Sequence, residues 1–454
     1  MAARIVIENV TIATVDTADT EIPSGHVVIE RNRIAAVGPG AAPAPSPGTA
    51  ERRVNATGHL VTPGLVNTHH HFFQWLTRGL AQDAILFDWL TTLYPIWSHI
   101  DEDSVYAGAR GSITSLLLSG CTTASDHQYL FPRDGGDLLS AEIRAARELG
   151  LRLHASRGSM DRGQSDGGLP PDFAVEDIDT VLAASTRAVE VHHDPSPDSM
   201  VRIVIAPCSP FTVTTDLLRE SASLGRSLGV RLHTHGSETV EEEEHCFEQF
   251  GMRPTEYLDS VGWLGADVWM AHCIHLSDGD IARFAATGTG VAHCPSSNAR
   301  LGAGIARVPE MLSAGIRVGL GVDGAASNEN GGLGTELRAA MLFARARSGP
   351  TAMTVRQALR LGTMGGAEVL GRADDLGSVE VGKLADLAVW KVDGVEHSNI
   401  DDKVAALVMG ALPPLAMLLA DGRVVIEDGQ LQTADAELIS REATTQARRL
   451  FESQ

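Results

Sequence analysis

Two short motifs each carry a pair of histidines separated by one residue: His69 and His71 in NTHHHFF, and His233 and His235 in RLHTHGSE. Side chains two apart on a strand share a face, so either pair can turn both imidazoles toward one ion. The same alternation sends His70 to the opposite side. One of His233 and His235 is expected to complete the ligand set. His235 stands nearer the C-terminal end of its strand, and Glu238 follows three residues later. Asp323 ends the apolar run VGLGVD, where a carboxylate is costly to bury unless it is paired or binds metal. Three histidines and one aspartate suit Zn2+ first and Fe2+ second, with a position left open for water. His272, closing WMAH, is expected to contact that water, and His275 to lie at the surface or behind it.

Residues beside these motifs offer partners for a flat polar ring. Gln74 lies just past the first histidine pair and can both donate to and accept from a ring edge. Trp75 and Tyr129 are expected to stack on such a ring. Arg157, just past the third strand of the series below, is expected to clamp a carbonyl or enolate-like oxygen.

Other chemistries find little support. The only lysines are Lys383, Lys391 and Lys403, so nothing upstream can form a lysine Schiff base or a lysine carbamate between two metals. Zinc deaminases of the cytidine type carry HxE and PCxxC signatures, and neither occurs. The cysteines have no dedicated base, so a cysteine nucleophile is not expected.

The elements that must position these residues form a regular series. The first sixty residues read as short strands with turns (RIVIENVTIATVD, then GHVVIERNRIAAVG), and the same texture returns in GSVEVGKLADLAVW and LAMLLADGRVVIEDGQ. Residues 1–61 and 374–454 are therefore expected to form one composite β-sandwich domain. Between them, residues 62–373 alternate strands and helices: LVTPGLVNTHHH, CTTASDH, LRLHASR, VRIVIAPCSP, RLHTHGSE, VWMAHCIH, GTGVAHCPSSN and RVGLGVDGA are the candidate strands. Eight βα units ending in polar residues predict an α/β fold, a closed (β/α)8 TIM-like barrel with its chemistry at the C-terminal mouth. The aromatic-rich segment Phe72–Ile100 is long for a βα loop and is expected to pack as an amphipathic helix and to cover the substrate.

Composition narrows the partners. The formal charge of −22 over 454 residues repels nucleic acid and anionic lipid alike, so a base-like substrate is expected as a free small molecule. No apolar run reaches the ~18–20 residues of a membrane span, and Met1–Val10 alternates like a strand rather than a signal peptide. Five scattered cysteines (Cys121, Cys208, Cys246, Cys273, Cys294) fit reduced thiols, and a cytoplasmic protein is expected.

Taken together, PGLVNTHHHFFQ, HTHGSE, AHCIHLSDGD, CPSSNARLGAG and GVDGAASNENGG resemble the amidohydrolase superfamily. They are most similar to its branch of guanine deaminases, adenosylhomocysteine deaminases and s-triazine hydrolases, and GSVEVGKLADLAVW resembles that branch's small β-domain. The resemblance implies that His69, His71, His235 and Asp323 hold one divalent ion, that Glu238 shuttles protons, and that His272 and Asp323 orient the hydrolytic water. It implies a single ion, because relatives with two usually carry a carboxylated lysine on the fourth strand, which here reads VRIVIAPCSP. It also implies a homo-oligomer. HHHFFQWLTR, LFDWLTTLYPIW, SGCTTASDHQYLFP and LHASRGSM resemble bacterial 8-oxoguanine deaminases, which implies hydrolysis of 8-oxoguanine to urate and ammonia, or of an isocytosine-like ring. An s-triazine hydrolase is the alternative. A non-catalytic binding protein is not expected, since every ligand position is filled.

Overall fold

The computed structural model describes residues 4–452. Eight parallel strands close into a barrel: β1 (Leu65–Asn67), β2 (Cys121–Gln128), β3 (Arg152–Ser159), β4 (Val201–Pro207), β5 (Arg231–Gly236), β6 (Val268–His272), β7 (Gly290–His293) and β8 (Val318–Leu320). Each pairs with the next in sequence, and Leu320 opposite Asn67 closes the ring. Six lie within the candidate segments, while β2 runs on one residue to Gln128 and β3 two residues to Ser159.

Alternation along these strands decides what faces where. Leu153, Ala155, Ile203, Ile205, Leu232, Met270 and Val318 point outward into the large core shared with the helices. Val66, Val204, Trp269, Ala271 and Ala292 fill the barrel interior against Val369 and Leu370. Strand ends above this plug can therefore hold polar groups without breaking the apolar core.

The outer strands of both termini share one nine-stranded sheet. His59–Pro63 pairs with Leu387–Lys391 at the junction of the N- and C-terminal halves. Ile7, Val27, Val61, Leu387 and Met417 pack its core. No helix among the described residues is long and apolar enough to cross a membrane.

Three helices bear on the site. Helix α1 (Leu86–Trp97) lies over the C-terminal mouth, with Leu86, Trp89, Leu90 and Tyr94 turned toward it. Helix α2 (Glu102–Leu118) starts in a capping box between Asp101 and Ser104. Helix α3 (Leu138–Leu149) is capped by Asp137 and ends at Gly150, whose φ of 84° lets the chain turn straight into β3.

One buried carboxyl in this layer yields a prediction. Glu142 on α3 is fully buried, and neither side-chain oxygen has a hydrogen-bond partner. Burial first, and then the nearby Asp126, push its pKa well above the usual carboxylate range. The folded state therefore keeps a proton that the unfolded chain releases above pH ~4.3. Stability from this group falls as pH rises beyond that value, up to the folded pKa. Glu142→Gln removes the penalty, so thermal melts should show a Tm higher by roughly 2 °C or more at pH 7 and a gain that vanishes near pH 4. A gain of equal size at both pH values would mean that titration is not the cause.

Candidate active site

The first histidine pair lies just past β1, where the chain leaves the barrel wall. His71 donates its Nδ1 hydrogen to the carbonyl of His127 on β2, at 2.7 Å. His235, on β5, donates Nδ1–H to the carbonyl of Cys208, at 2.6 Å. A carbonyl only accepts, so these contacts fix the tautomers and leave each Nε2 with a lone pair.

His69 reaches the same state through a relay. His233 Nδ1 donates to the carbonyl of Trp269 at 3.0 Å, so His233 Nε2 accepts from His69 Nδ1 at 2.8 Å. Burial, ahead of all other causes, holds His69, His71 and His235 below the ordinary histidine value, which keeps the rings neutral.

The lone pairs then converge. His71 Nε2 is 3.3 Å from His235 Nε2, and both His69 Nε2 and His71 Nε2 are 3.3 Å from Asp323 Oδ1. His69 Nε2 is buried without a hydrogen-bond partner. Acceptors crowded together with no hydrogen between them repel one another unless a cation sits among them. The donor set thus fits a divalent ion with nitrogen and oxygen ligands. The hydrogen-bonded outer partners are those that orient such ligands in known sites.

Asp323 is held from behind. Its Oδ2 accepts from Ser297 Oγ at 2.6 Å and Ser327 Oγ at 3.0 Å, and its Oδ1 from Gly324 N at 2.7 Å. Burial opposes its charge, but His69 and the charges of His272, His69 and His71 hold it well below the usual carboxylate range. Both Asp323 (φ 66°) and His272 (φ 72°) adopt left-handed backbone at strand ends. Non-glycine residues avoid this region unless the surroundings impose it, and it recurs at functional sites.

Glu238 and His272 form the second half of the cluster. His272 donates Nδ1–H to Asn298 Oδ1 at 2.9 Å, and its Nε2 faces Glu238 Oε1 at 3.5 Å. Burial pushes the Glu238 carboxyl up to about 7, with His272 opposing and Asp323 adding to the rise. A carboxyl near neutrality suits a group that must both take and give a proton. The backbone N–H groups of Ser237 and Glu238 donate to Glu242, at 2.9 and 2.8 Å, which fixes the turn carrying Glu238.

The neighbouring cavity is lined by Gln74, Trp89, Tyr94, Tyr129, Cys208, Phe211 and Leu301, together with His71, His235, Glu238, His272 and Asp323. Its volume of about 30 Å³ leaves room for roughly two waters. Gln74 is buried. Its Nε2 donates to Tyr129 Oη at 3.4 Å, while its Oε1 has no partner. A Cβ on Gly324 would stand 1.7 Å from Gln74 Oε1. Gly324→Ala should therefore displace the amide and lower kcat/KM by about 10-fold, the cost of one hydrogen bond to a ring, with metal content unchanged. Unaltered kinetics would remove Gln74 from the substrate surface.

Two of the expected ring-binding residues lie elsewhere. Trp75 sits on the 3-10 turn Phe72–Thr77, where successive side chains point about 120° apart, so Gln74 facing the cavity turns Trp75 away. It packs under Arg78 and against Gly111, facing the C-terminal helix Ala436–Glu452. Strand β3 runs on to Ser159, so Arg157 lies within it, on the outward face with Leu153 and Ala155. Its guanidinium lies over Phe131 and is paired with Glu176 at 2.7 and 2.9 Å. The clamp expected of Arg157 is therefore corrected: geometry commits its donors away from the cavity.

Several participants were not anticipated. His127 stacks on His235 with ring centroids 4.9 Å apart and donates Nε2–H to Ala206 O at 2.8 Å. Ser297 and Asn298 reach Asp323 and His272 across 26 residues, while Ser327 is a local partner of Asp323; their only sequence signal was a Ser/Asn cluster in CPSSN and GAASN. His275 bonds Ala303 O at 3.0 Å, away from the cluster. The pentapeptide GQSDG (Gly163–Gly167) matches the GxSxG nucleophile pattern. Ser165, however, lies exposed on a short 3-10 turn, not on a strand-to-helix elbow.

Comparison with known proteins agrees with this geometry. The sequence profile of the amidohydrolase family matches residues 60–425. The chain is 42% identical to 8-oxoguanine deaminase of Pseudomonas aeruginosa, over 94% of this chain and 95% of that protein. It is 38% identical to hydroxydechloroatrazine ethylaminohydrolase of a Pseudomonas species, over 97% and 94% of the two chains. The crystal structure of atrazine chlorohydrolase TrzN from Arthrobacter aurescens TC1, complexed with zinc, superposes with a TM-score of 0.92 at 32% identity, covering 98% of this chain and 100% of that one. The protein is a member of the amidohydrolase family.

Proposed function

We propose that the protein is a single-metal hydrolytic deaminase of a free amino-substituted heterocycle, with 8-oxoguanine or an isocytosine-like ring as substrate. The observation that carries this reading is the convergence of three lone-pair nitrogens and the Asp323 carboxylate beside the Glu238–His272 pair. One Zn2+ per chain, bound by His69, His71, His235 and Asp323, is the reading the donor set supports. Such an ion lowers the pKa of its water from ~15.7 toward neutrality.

The side chains divide the remaining work. Glu238 takes the proton of the attacking water and returns it to the ring nitrogen. His272, with Nδ1–H anchored on Asn298, holds that water through Nε2. Asp323, ionised at rest, takes the second proton from the hydroxyl added to the ring and passes it to the amino group, which leaves as ammonia. Gln74 Oε1, without a partner, accepts from a ring N–H, and Tyr129 lines the slot beside it. A ring is larger than the present cavity, and α1 forms its cover. Its polar ties there are long: Trp89 Nε1 to Ala326 O at 3.3 Å and Tyr94 Oη to Met160 Sδ at 3.7 Å.

One observation favours a triazine as the second reading: among the described residues no arginine or lysine lines the cavity, so a ring oxygen finds no guanidinium or ammonium there. Ammonia release from 8-oxoguanine and isocytosine, compared with hydrolysis of amino- and chloro-triazines, separates the two. The first reading expects kcat/KM to be highest for the oxygenated rings. Efficient triazine hydrolysis with no ammonia from either oxygenated ring would reverse the order. The fully buried free cysteines support a reducing, cytoplasmic setting, and a homo-oligomer of this chain completes the proposal.

A further inference from the structure

We propose that the N-terminal end of the barrel, opposite the metal cluster, holds a small inorganic oxyanion between the inward-facing side chains of His154, Arg202 and Arg231. The three stand on consecutive strands, β3, β4 and β5, and His154 lies directly opposite Arg202 in register. Because Leu153, Ile203 and Leu232 face the helices, their neighbours His154, Arg202 and Arg231 face the barrel axis.

Arg152, Arg317 and Arg372 crowd the same end. Arg231 and Arg317 share one acceptor, the Ala266 carbonyl, at 3.1 and 2.9 Å. Arg152 and Arg372 share the Ser199 carbonyl. Arg202 and Arg372 donate to Ser196 and Pro197 of the same loop, at 3.1 and 2.7 Å.

The charge here is not balanced. Arg152 pairs with Asp386 at 3.3 Å and Asp421 at 3.4 Å, and Arg372 with Asp375 at 3.2 Å. Among the described residues, Arg202, Arg231 and Arg317 donate only to backbone carbonyls and form no ion pair, in a chain whose net charge is −22. Asp267, the acid near Arg231, is engaged by Arg226 at 2.9 Å. Hydrogen bonding is also incomplete. His154 is 1% exposed with Nε2 unpartnered, and the Nε atoms of Arg202 and Arg231 are buried without acceptors. Arg202 and Arg231 are partly exposed, so solvent screens part of their charge; an oxyanion with several acceptor oxygens supplies both the missing acceptors and the counter-charge. Burial first, then the charge of Arg317 and, behind the opposing Asp267, that of Arg202, push Arg231 down to about 10.

Sulfate is a suitable probe. Thermal melts of the zinc-loaded protein, with sodium sulfate replacing sodium chloride at constant ionic strength, should show a Tm rise of ~2 °C or more that saturates in the low millimolar range. Arg202→Met should abolish the rise and leave kcat and KM unchanged without sulfate. A rise that never saturates is general exclusion of sulfate from the surface and overturns the proposal. So does a saturable rise that survives in Arg202→Met and tracks competitive inhibition, which places sulfate at the catalytic metal. If Arg202→Met does not fold, wild-type crystals soaked in selenate decide: an anomalous peak beside His154 and Arg202 supports the site, and its absence overturns it.

Discussion

Glu238→Gln is expected to bind metal as the wild type does and to lose at least ~10²-fold in kcat, the contribution of a positioned acid–base group. The amide preserves size and polarity but cannot take up the water proton or pass one to the ring. Burial is what brings Glu238 up to about 7, so no exposed carboxylate nearby can replace it. Elemental analysis of the variant alongside steady-state kinetics checks both halves. Near-normal turnover with metal bound would hand the proton transfer to another group.

His233→Leu is expected to raise the dissociation constant for the metal by about 10- to 100-fold, the usual effect of losing a hydrogen-bonded outer partner. His233 does not line the cavity. It acts only by accepting from His69 Nδ1 while donating to Trp269 O, which fixes the His69 tautomer. Leucine leaves that Nδ1 without an acceptor and lets the ring invert its protonation. In His233→Gln the side-chain oxygen restores an acceptor, so part of the affinity should return. Competition with a chromogenic chelator reads both variants, and equal affinities for wild type and His233→Leu would show that the relay does not matter.

Much of this architecture was legible in the sequence because the barrel repeats one physical pattern. Most strands are short runs that lead into residues too polar for the core, so the eight runs and their reactive ends could be read one at a time. The pairing of His69 with His71 followed from alternation alone. Alternation could not choose between His233 and His235. The two face the same side, and only depth in the barrel separates a ligand from its supporting ring.

Arg157 shows a related limit. Its expected place depended on where β3 ends, and two more residues of strand put it on the outward face with Leu153 and Ala155. Trp75 was misplaced for a local reason, because a 3-10 turn after the histidine motif rotates it away from its neighbour Gln74. The carbonyls of His127, Cys208 and Trp269 that set the tautomers carry no side-chain signature. Nor could Ser297, 26 residues away in sequence, be matched to Asp323 before the chain had folded.

Zinc titration of metal-free protein, with bound metal and ammonia release followed on the same samples, tests the single-ion site most directly. Activity should be absent without metal, rise in proportion to bound zinc, and break sharply at one equivalent per chain. Activity that persists without metal, or that keeps rising to a second tightly held equivalent, would contradict the account.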